Sequence, residues 1–270
     1  MESFKKPGKI IARGRTAEVY DWSELQVLKL FYEWMPLPSI QREFEITQLA
    51  FAAKIPVPQA FQLEQIDGRN GIIYEKVNGP TMLALILKQP WTVARFSRQL
   101  AEFHSAIHRL PLGGMVSFRE RWFSDIQEVS GLSAQDREKL MQWVGQFPDV
   151  NQLCHFDFHP DQVMFTSRGV RILDWMTACS GDPAADVART KILLTIGKPP
   201  DAGWLLRTFA DFLGAAAFYF YQKKYLALNP EMTQERIDAW FPALAAVRLL
   251  EDIEGEETRL RRIVKRFLSS

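Results

Sequence analysis

The stretch Cys154-His-Phe-Asp-Phe-His-Pro-Asp-Gln-Val-Met-Phe-Thr-Ser-Arg-Gly-Val-Arg-Ile-Leu-Asp-Trp175 contains two short apolar runs around a turn. The runs Val-Met-Phe and Val-Arg-Ile-Leu flank Thr-Ser-Arg-Gly, a pattern that predicts a β-hairpin. Asp157 and Gln162 precede the first strand, and Asp174 follows the second. Folding the hairpin brings these carboxylates and this amide together. Such a set of oxygen ligands suits Mg²⁺.

Upstream of the hairpin, short apolar runs alternate with turn residues. They predict consecutive antiparallel strands over residues 9–31 and two more over 60–65 and 71–77, with a helix over 39–53. Asn78-Gly79-Pro80 ends this pattern. Further helices are predicted over residues 82–87, 91–107, 134–143, 204–226, 233–250 and 256–267. We therefore predict an α+β fold of two domains, 1–77 with an antiparallel sheet and one helix, and 78–270 mainly helical.

The composition is that of a globular protein. Of 270 residues, 47% are hydrophobic and 24% are charged, and 33 basic side chains nearly balance 32 acidic ones. A net charge near zero argues against a nucleic-acid partner. The first residues carry no apolar stretch typical of a signal peptide, and the most apolar window, residues 212–221, is too short to cross a membrane. We therefore expect a cytoplasmic protein without a membrane partner.

The block His155-x-Asp157-x-x-x-x-Gln162, followed by Ile-Leu-Asp174, resembles the catalytic loop and metal-binding Asp of protein-kinase-like phosphotransferases. It is most similar to the aminoglycoside phosphotransferase and choline kinase family, whose usual wording is H-G-D-x-H-P-x-N and then a strand ending in I-D-W. Further blocks follow the family order: Gly14-Arg-Thr-Ala-Glu-Val19, Val27-Leu-Lys29, Arg42-Glu43-Phe-Glu, Ile55-Pro-Val-Pro58, Tyr74-Glu-Lys-Val77-Asn-Gly79, Leu100-Ala-Glu-Phe-His104 and Gly181-Asp-Pro-Ala-Ala-Asp186. The resemblance implies a two-lobed protein-kinase-like fold, with ATP and Mg²⁺ as cofactors and a small-molecule hydroxyl as the phosphate acceptor.

Under this resemblance, residues 1–77 form the nucleotide-binding lobe. Lys29 would contact the α and β phosphates, and Glu43 would pair with Lys29, with Glu45 as the alternative partner. Without the resemblance, Lys29 would be interpreted as the exposed end of a strand, and Glu43 as part of a solvated helix face.

The remaining nucleotide contacts implied by the resemblance come from turns and strand ends. The hairpin turn holding Gly14 would cover the phosphates, and Val19 and Val27 would lie above the adenine. The main chain from Glu75 to Val77 would read the adenine edge. A single glycine is also typical of an ordinary turn. The segment from Glu75 to Val77 is likewise typical of an ordinary strand end.

Residues 78–270 would then carry the catalytic loop and the acceptor site. Asp157 would accept or orient the proton of the attacking hydroxyl, and Gln162 and Asp174 would hold Mg²⁺. His155 and His159 are expected to brace the loop.

Two other polar residues are assigned structural roles. The resemblance implies that Asp186 ties the start of a helix to the catalytic loop. His104 lies on an apolar helix face and is expected to be a core histidine.

The sequence departs from the family wording in the catalytic loop. Gln162 replaces an asparagine, Asp161 replaces a glycine, and Phe156 replaces the glycine before the catalytic Asp. Glutamine keeps the carbonyl ligand but adds a torsion, while Mg²⁺ needs tight octahedral geometry. An alternative function therefore stays open, that of a catalytically weak or inactive relative that binds nucleotide or acts as a scaffold.

The acceptor is indicated only by the C-terminal helices. Aromatic residues occur at Phe218, Tyr219, Phe220, Tyr221 and Trp240, and an acidic run spans residues 251–257. An acidic, aromatic lining would suit a cationic acceptor. The alternative is a set of core aromatics beside a solvated acidic face.

Overall fold

The computed structural model describes residues 7–113, 117–197 and 204–269. The chain forms two compact units, one of Met1–Met82 with Asp161–Ala178 and one of Leu83–Pro160 with Cys179–Ser270. The hairpin after the catalytic-loop block thus lies in the first unit, whereas the predicted division placed it in residues 78–270. The assignment of nucleotide binding to 1–77 and acceptor binding to 78–270 stays a prediction. The first six residues, on which the signal-peptide prediction rests, lie outside the described residues.

The first unit is built on a five-stranded antiparallel sheet with the strand order β1-β2-β3-β5-β4. Its elements are β1 (Ile10–Arg13), β2 (Ala17–Asp21), β3 (Gln26–Phe31), α1 (Leu37–Ala52), β4 (Ala60–Ile66) and β5 (Arg69–Glu75). The predicted strands and helix are confirmed within a few residues at each end. Helix α1 begins after Pro36, with another proline in its first turn, where the missing N–H costs no hydrogen bond.

Both faces of the sheet carry apolar side chains, because successive residues of a strand point to opposite faces. On β3, Leu28 and Leu30 pack on one face with Ile73. Phe31 packs on the other face, in a core that includes α1. Lys29 shares this second face by alternation, so its polar head lies on the side of the sheet that the helix covers.

The hairpin of the first unit consists of β7 (Val163–Thr166) and β8 (Gly169–Ile172). The predicted hairpin is confirmed, with the turn at residues 166–169. It is attached to the segment after β5, since Phe165 N–H donates to Pro80 C=O at 2.9 Å. A Cβ on Gly79 would lie 1.8 Å from the carbonyl oxygen of Phe165, so only glycine fits this close approach. The Asn-Gly-Pro segment is therefore an attachment point for the hairpin.

The second unit is mainly helical. Its elements are α2 (Met82–Lys88), α3 (Val93–Ile107), α4 (Phe118–Glu128), α5 (Ala134–Gly145), β6 (Gln152–Cys154), β9 (Cys179–Gly181), α6 (Pro183–Thr195), α7 (Trp204–Leu228), α8 (Gln234–Arg248) and α9 (Glu257–Leu268). Helices α4 and α6 are absent from the helices predicted by periodicity. Helix α6 is almost wholly buried, so it lacks the alternation of polar and apolar faces on which that prediction depends.

Large aromatic side chains fill the core of the second unit. Trp122 of α4 is fully buried and donates its indole N–H to the Ala243 carbonyl of α8 at 2.9 Å. Helices α6 and α7 approach closely, because a Cβ on Gly214 would lie 2.0 Å from the Leu194 carbonyl oxygen. No helix in the described part of the chain has the length and apolar character needed to span a membrane.

Candidate functional site

The predicted site residues fall in both units. In the first unit, Lys29 lies between two carboxylates. Its Nζ is 2.7 Å from Glu43 Oε1 and 2.8 Å from Asp174 Oδ1. The predicted Lys29–Glu43 pair is therefore present in the structure, and Glu45, the alternative partner, is not needed. Asp174 joins the pair, although no sequence pattern linked it to Lys29.

Burial makes this ion cluster electrostatically strong. Burial alone would lower the pKa of Lys29, but the charges of Asp174 and Glu43 outweigh it and raise that pKa. For Glu43, burial raises the pKa, and the positive charge of Lys29 offsets only part of the effect. Glu43 also accepts a hydrogen bond from the Tyr74 hydroxyl at 2.9 Å on the same oxygen that faces Lys29. The lysine head is thus held in one position by two charged partners.

The two predicted adenine-contacting valines share the sheet face of Lys29. Val19 of β2 is the register partner of Lys29, and Val27 lies two residues before Lys29 on β3. Val27 packs at the edge of the core that contains Tyr74. The register therefore places two partly buried apolar side chains beside the lysine on one face.

The predicted hinge begins where β5 ends. Glu75 N–H donates to Gln59 C=O at 2.8 Å, and Lys76 N–H donates to Leu25 C=O at 2.8 Å. The Glu75 side chain is occupied by Arg171, at 3.3 Å. In the part of the chain that the structure describes, the N–H of Val77 has no acceptor. Val77 therefore offers a main-chain donor at the strand end where the adenine edge is expected.

Gly14 lies in the turn between β1 and β2, where its N–H donates to Ala17 C=O at 2.8 Å. A Cβ at this position would make only an ordinary contact of 3.6 Å with that carbonyl oxygen. The chain itself therefore does not require glycine in this turn.

The two predicted metal ligands occupy the open end of the hairpin. Leu173 N–H donates to the Gln162 carbonyl at 2.8 Å, which fixes the end of β8 against the residue before β7. The next residue, Asp174, has a φ of 56°, a left-handed conformation that Asp adopts more readily than most residues. Its side chain is 41% exposed. One carboxylate and one amide oxygen at an open position are the hard oxygen ligands that Mg²⁺ uses, so the residues present fit this ion.

In the second unit, the predicted catalytic Asp157 lies in the loop after β6. Its side chain is 27% exposed, and Oδ2 is 3.8 Å from His159 Nε2. Asp157 N–H donates to His155 Nδ1 at 3.3 Å, and the His155 side chain is fully buried. Both histidines therefore contact Asp157, as expected of loop-bracing residues.

Helix α6 fixes the backbone of this loop. Asp186 accepts hydrogen bonds from the N–H groups of His155 and Phe156, the second at 2.9 Å. Arg189 donates to the Phe156 carbonyl at 3.2 Å, and Thr190 donates to the Phe158 carbonyl at 2.9 Å. The role that the resemblance implied for Asp186 is thus seen in the structure. Arg189 and Thr190, one turn further along the same helix face, add two contacts that the sequence analysis did not identify.

Phe156 takes the place of the family's glycine with the backbone of a glycine. Its φ is 57°, in the left-handed region that side chains disfavour. The ring is buried and stacks on Phe118, with centroids 4.0 Å apart. The bulk expected beside the catalytic Asp is therefore packed in the core.

Asp186 is also the centre of a buried polar cluster. His104 is fully buried, which confirms the prediction of a core histidine. Burial alone would raise the pKa of Asp186, but the charge of His104 and the hydrogen bond of His108 outweigh it and hold that pKa well below its usual range. His108 was not singled out from the sequence, although it lies one helical turn after His104.

The C-terminal helices support the alternative interpretation of their aromatic and acidic residues. Tyr221 and Trp240 belong to the buried core. In the acidic run, Glu251 pairs with Arg189 and Arg248, Glu256 with Arg248, and Glu257 with Arg261. Three acidic side chains of the run are therefore paired with arginines.

A model of a known protein family matches most of this chain. The model of a phosphotransferase enzyme family, named APH, matches residues 11–222. No curated protein sequence matches the chain.

Solved structures of aminoglycoside phosphotransferases share the fold. An aminoglycoside-3'-phosphotransferase of type VIII is 16% identical, with a TM-score of 0.65 over 88% of this chain and 91% of that one. APH(4)-Ia, in a ternary complex with AMP-PNP and hygromycin B, is 18% identical, with a TM-score of 0.63 over 95% and 92%. APH(3'')-Id from Streptomyces rimosus is 16% identical, with a TM-score of 0.60 over 86% and 89%. The predicted protein-kinase-like α+β fold is thereby confirmed. Because the family model covers more than half of the sequence, this chain belongs to the phosphotransferase enzyme family.

Proposed function

We propose that this chain is a kinase that uses ATP and Mg²⁺ to phosphorylate a hydroxyl group of a small molecule. The observation that carries the proposal is the cluster of Lys29, Glu43 and Asp174. A buried lysine held between a helix carboxylate and a partly exposed carboxylate after a hairpin is the arrangement that phosphoryl transfer uses to hold phosphates.

The residues of the chain divide the reaction between them. Lys29 stabilises the negative charge of the α and β phosphates. Asp174 and Gln162 would hold Mg²⁺, which would supply further neutralisation of the phosphate charge. Asp157 accepts the proton of the acceptor hydroxyl. The hydroxyl oxygen then bonds to the γ-phosphorus of ATP, and the bond between the γ-phosphorus and ADP breaks.

The family and two exposed carboxylates of the acidic run support a choice of acceptor class. The APH(4)-Ia structure contains hygromycin B, and another neighbour contains streptomycin. We propose a hydroxyl-bearing small molecule of the aminoglycoside, choline-like or sugar-like kind. In the acidic run, Asp252 and Glu254 are exposed and would be the carboxylates open to a cationic acceptor. If changing Glu254 to Gln, together with Glu251 and Glu257, left the KM of a cationic acceptor unaltered, the acceptor would not be bound by this run.

A thermal-shift titration tests nucleotide binding before any acceptor is known. ATP or GTP is added with and without Mg²⁺, and the proposal expects a rise in Tm that depends on Mg²⁺. Each acceptor of a panel of aminoglycosides, amino-alcohols and sugars is then added, and transfer of phosphate is measured directly.

The catalytic assignment is tested by Asp157→Asn. This variant should lose transfer while keeping the nucleotide-dependent shift, because Asp157 contacts the acceptor proton and not the nucleotide. Asp149→Asn is the matched control, since it makes the same charge change at an exposed position of the same unit. Full transfer activity in Asp157→Asn would remove the assignment. A Mg²⁺-dependent shift without transfer to any acceptor would instead support the alternative of an inactive nucleotide-binding relative.

A further inference from the structure

Behind the catalytic loop, the second unit buries two histidines and two tyrosines that the proposed reaction does not use. His104 lies on α3 and His108 caps the C-terminus of that helix one turn later, while Tyr221 and Tyr225 lie one turn apart on α7. All four side chains are buried. Residues four apart share a helix face, so each helix presents one pair to the other.

Each histidine bridges a tyrosine and Asp186. The hydroxyl oxygens of Tyr221 and Tyr225 lie 2.6 and 2.7 Å from Nδ1 of His104 and His108, respectively. His108 Nε2 is 3.1 Å from Asp186 Oδ2, with the geometry of a hydrogen bond. His104 Nε2 is 3.0 Å from the same oxygen but lacks that geometry. The pair of His108 and Tyr225 therefore forms the complete chain.

The chemistry of Asp186 assigns the protons in this chain. An ionised carboxylate only accepts hydrogen bonds, and the pKa of Asp186 lies well below its usual range. His108 Nε2 therefore carries a hydrogen, and Nδ1 accepts the hydrogen of the Tyr225 hydroxyl. Removal of that hydroxyl would leave Nδ1 without its donor and the ring held by hydrogen bonding at Nε2 alone.

A bound metal ion is the alternative explanation for this cluster of side chains. The ligand atoms of His104, His108 and Asp186 lie within 4.8 Å of one another. However, Asp186 already accepts hydrogen bonds from the N–H groups of His155 and Phe156 as well as from His108. Hydrogen bonding thus accounts for the cluster without an ion.

We propose that His108 and Tyr225 are positioning residues of the catalytic loop: the tyrosine hydroxyl anchors the His108 ring, and Nε2–H of that ring orients Asp186 toward the backbone N–H groups before Asp157. With three donors on its two oxygens, the Asp186 carboxylate is held in one plane. Two of those donors belong to the loop, whose Phe156 backbone is left-handed and depends on them. The effect on turnover rests on the proposed function, whereas the effect on the loop does not.

The test compares one substitution at three positions of α7. Tyr225→Phe removes the hydroxyl of the complete chain. Tyr221→Phe removes the hydroxyl beside His104, whose Nε2 lacks hydrogen-bond geometry. Tyr219→Phe, at a residue 58% exposed, is the matched control.

Three readouts are expected to change in Tyr225→Phe. Long-range ¹H–¹⁵N spectra of the imidazoles should show His108 as the Nε2–H tautomer in both proteins, with the Nδ1 signal shifted in the variant because its hydrogen bond is lost. Amide exchange at His155 and Phe156 should become about tenfold faster, the equivalent of one hydrogen bond of about 1.4 kcal/mol. With an acceptor identified, kcat should fall about tenfold with little change in the KM for ATP. Tyr221→Phe should have a smaller effect, and Tyr219→Phe none.

A second variant keeps the test decisive if Tyr225→Phe is too unstable to study. In Tyr225→Phe with His108→Gln, the glutamine amide donates to Asp186 without needing the tyrosine as an anchor. Protection of the loop amides should then be restored relative to Tyr225→Phe or, if that variant is unfolded, should approach the wild-type value. An Nδ1–H tautomer in the wild type, unchanged amide exchange in Tyr225→Phe, or binding of added Zn²⁺ with loss of the Nε2–H signal would each overturn the proposal. Failure of transfer with intact spectra and exchange would count against the proposed function alone.

Discussion

Substitutions at Phe156 distinguish two contributions to stability, the strain of its left-handed backbone and the packing of its buried ring. The left-handed conformation at Phe156 costs a residue with a side chain about 1–2 kcal/mol relative to glycine. Its ring is 2% exposed and stacks on Phe118, and loss of such a buried ring typically costs about 3–5 kcal/mol. The ring is therefore the larger effect, and both Phe156→Ala and Phe156→Gly should be clearly less stable than the wild type.

The two variants should nevertheless differ in a defined direction. Both lose the ring, but alanine keeps the left-handed strain, while glycine carries an extra backbone entropy of about 0.5–1 kcal/mol in the unfolded chain. The difference leaves Phe156→Gly more stable than Phe156→Ala by about 0.5–1 kcal/mol. At Phe158, two residues later, φ is not positive and the side chain is fully buried. There the order should reverse, with the alanine variant the more stable one.

Urea unfolding followed by far-ultraviolet circular dichroism measures these differences as midpoints at constant m-value. A total stability of about 5–15 kcal/mol leaves room for such losses in a folded protein. If Phe156→Ala equalled or exceeded Phe156→Gly in stability, or if both positions gave the same order, the left-handed backbone would not be the reason that the family wording has glycine there.

Three further outcomes are expected. Lys29→Met leaves the buried Glu43 without its counter-charge and should lower the free energy of unfolding by about 3–5 kcal/mol at pH 7, measured in urea. The loss should be smaller at pH 5 because Glu43 then takes up a proton, and the control Lys88→Met, at an exposed position, should lose little. Equal losses at both pH values would contradict this. Burial, and then the charge of His108, lowers the pKa of His104 to about 4. As the pH falls, the unfolded chain therefore binds this proton before the folded protein does, and the free energy of unfolding should fall by about 3 kcal/mol between pH 6.5 and 4. His104→Gln should remove this slope when unfolding is followed across that range. Gln162→Asn should lower the Mg²⁺ concentration needed for half of the ATP-dependent thermal shift, because it removes a torsion from a metal ligand; an unchanged or higher concentration would argue against Gln162 as a ligand.

Much of the first unit could be predicted because its signals are local. Alternating apolar runs set the strands, and prolines set the limits of α1, so the sheet and its helix were found within a few residues. The order of short motifs identified the fold, since each block carries its own residue types. The pairing of Lys29 with Glu43 followed from that resemblance and not from periodicity, because a contact between a strand and a helix leaves no local pattern.

The helices of the second unit were harder to predict where they are buried on all sides. Helix α6 has apolar or buried residues around its whole circumference, so it lacks the single apolar stripe that marks a surface helix. The sequence did contain a usable signal at its start, Asp182 followed by Pro183, which is a helix cap with proline in the first turn. Arg189 and Thr190 follow Asp186 at three and four residues, the spacing of one helix face.

The sequence by itself determined the fold, the sheet, the hairpin and the residue types of the proposed phosphoryl-transfer site, because these depend on local periodicity and on motifs of fixed spacing. Only the tertiary structure decided that Asp174 shares Lys29 with Glu43, that Phe156 adopts the backbone of a glycine, and that His108 and Tyr225 stand behind Asp186. These features join residues from 30 to 145 positions apart. Their energies come from burial and from donor–acceptor geometry, which exist only once the helices and strands have packed.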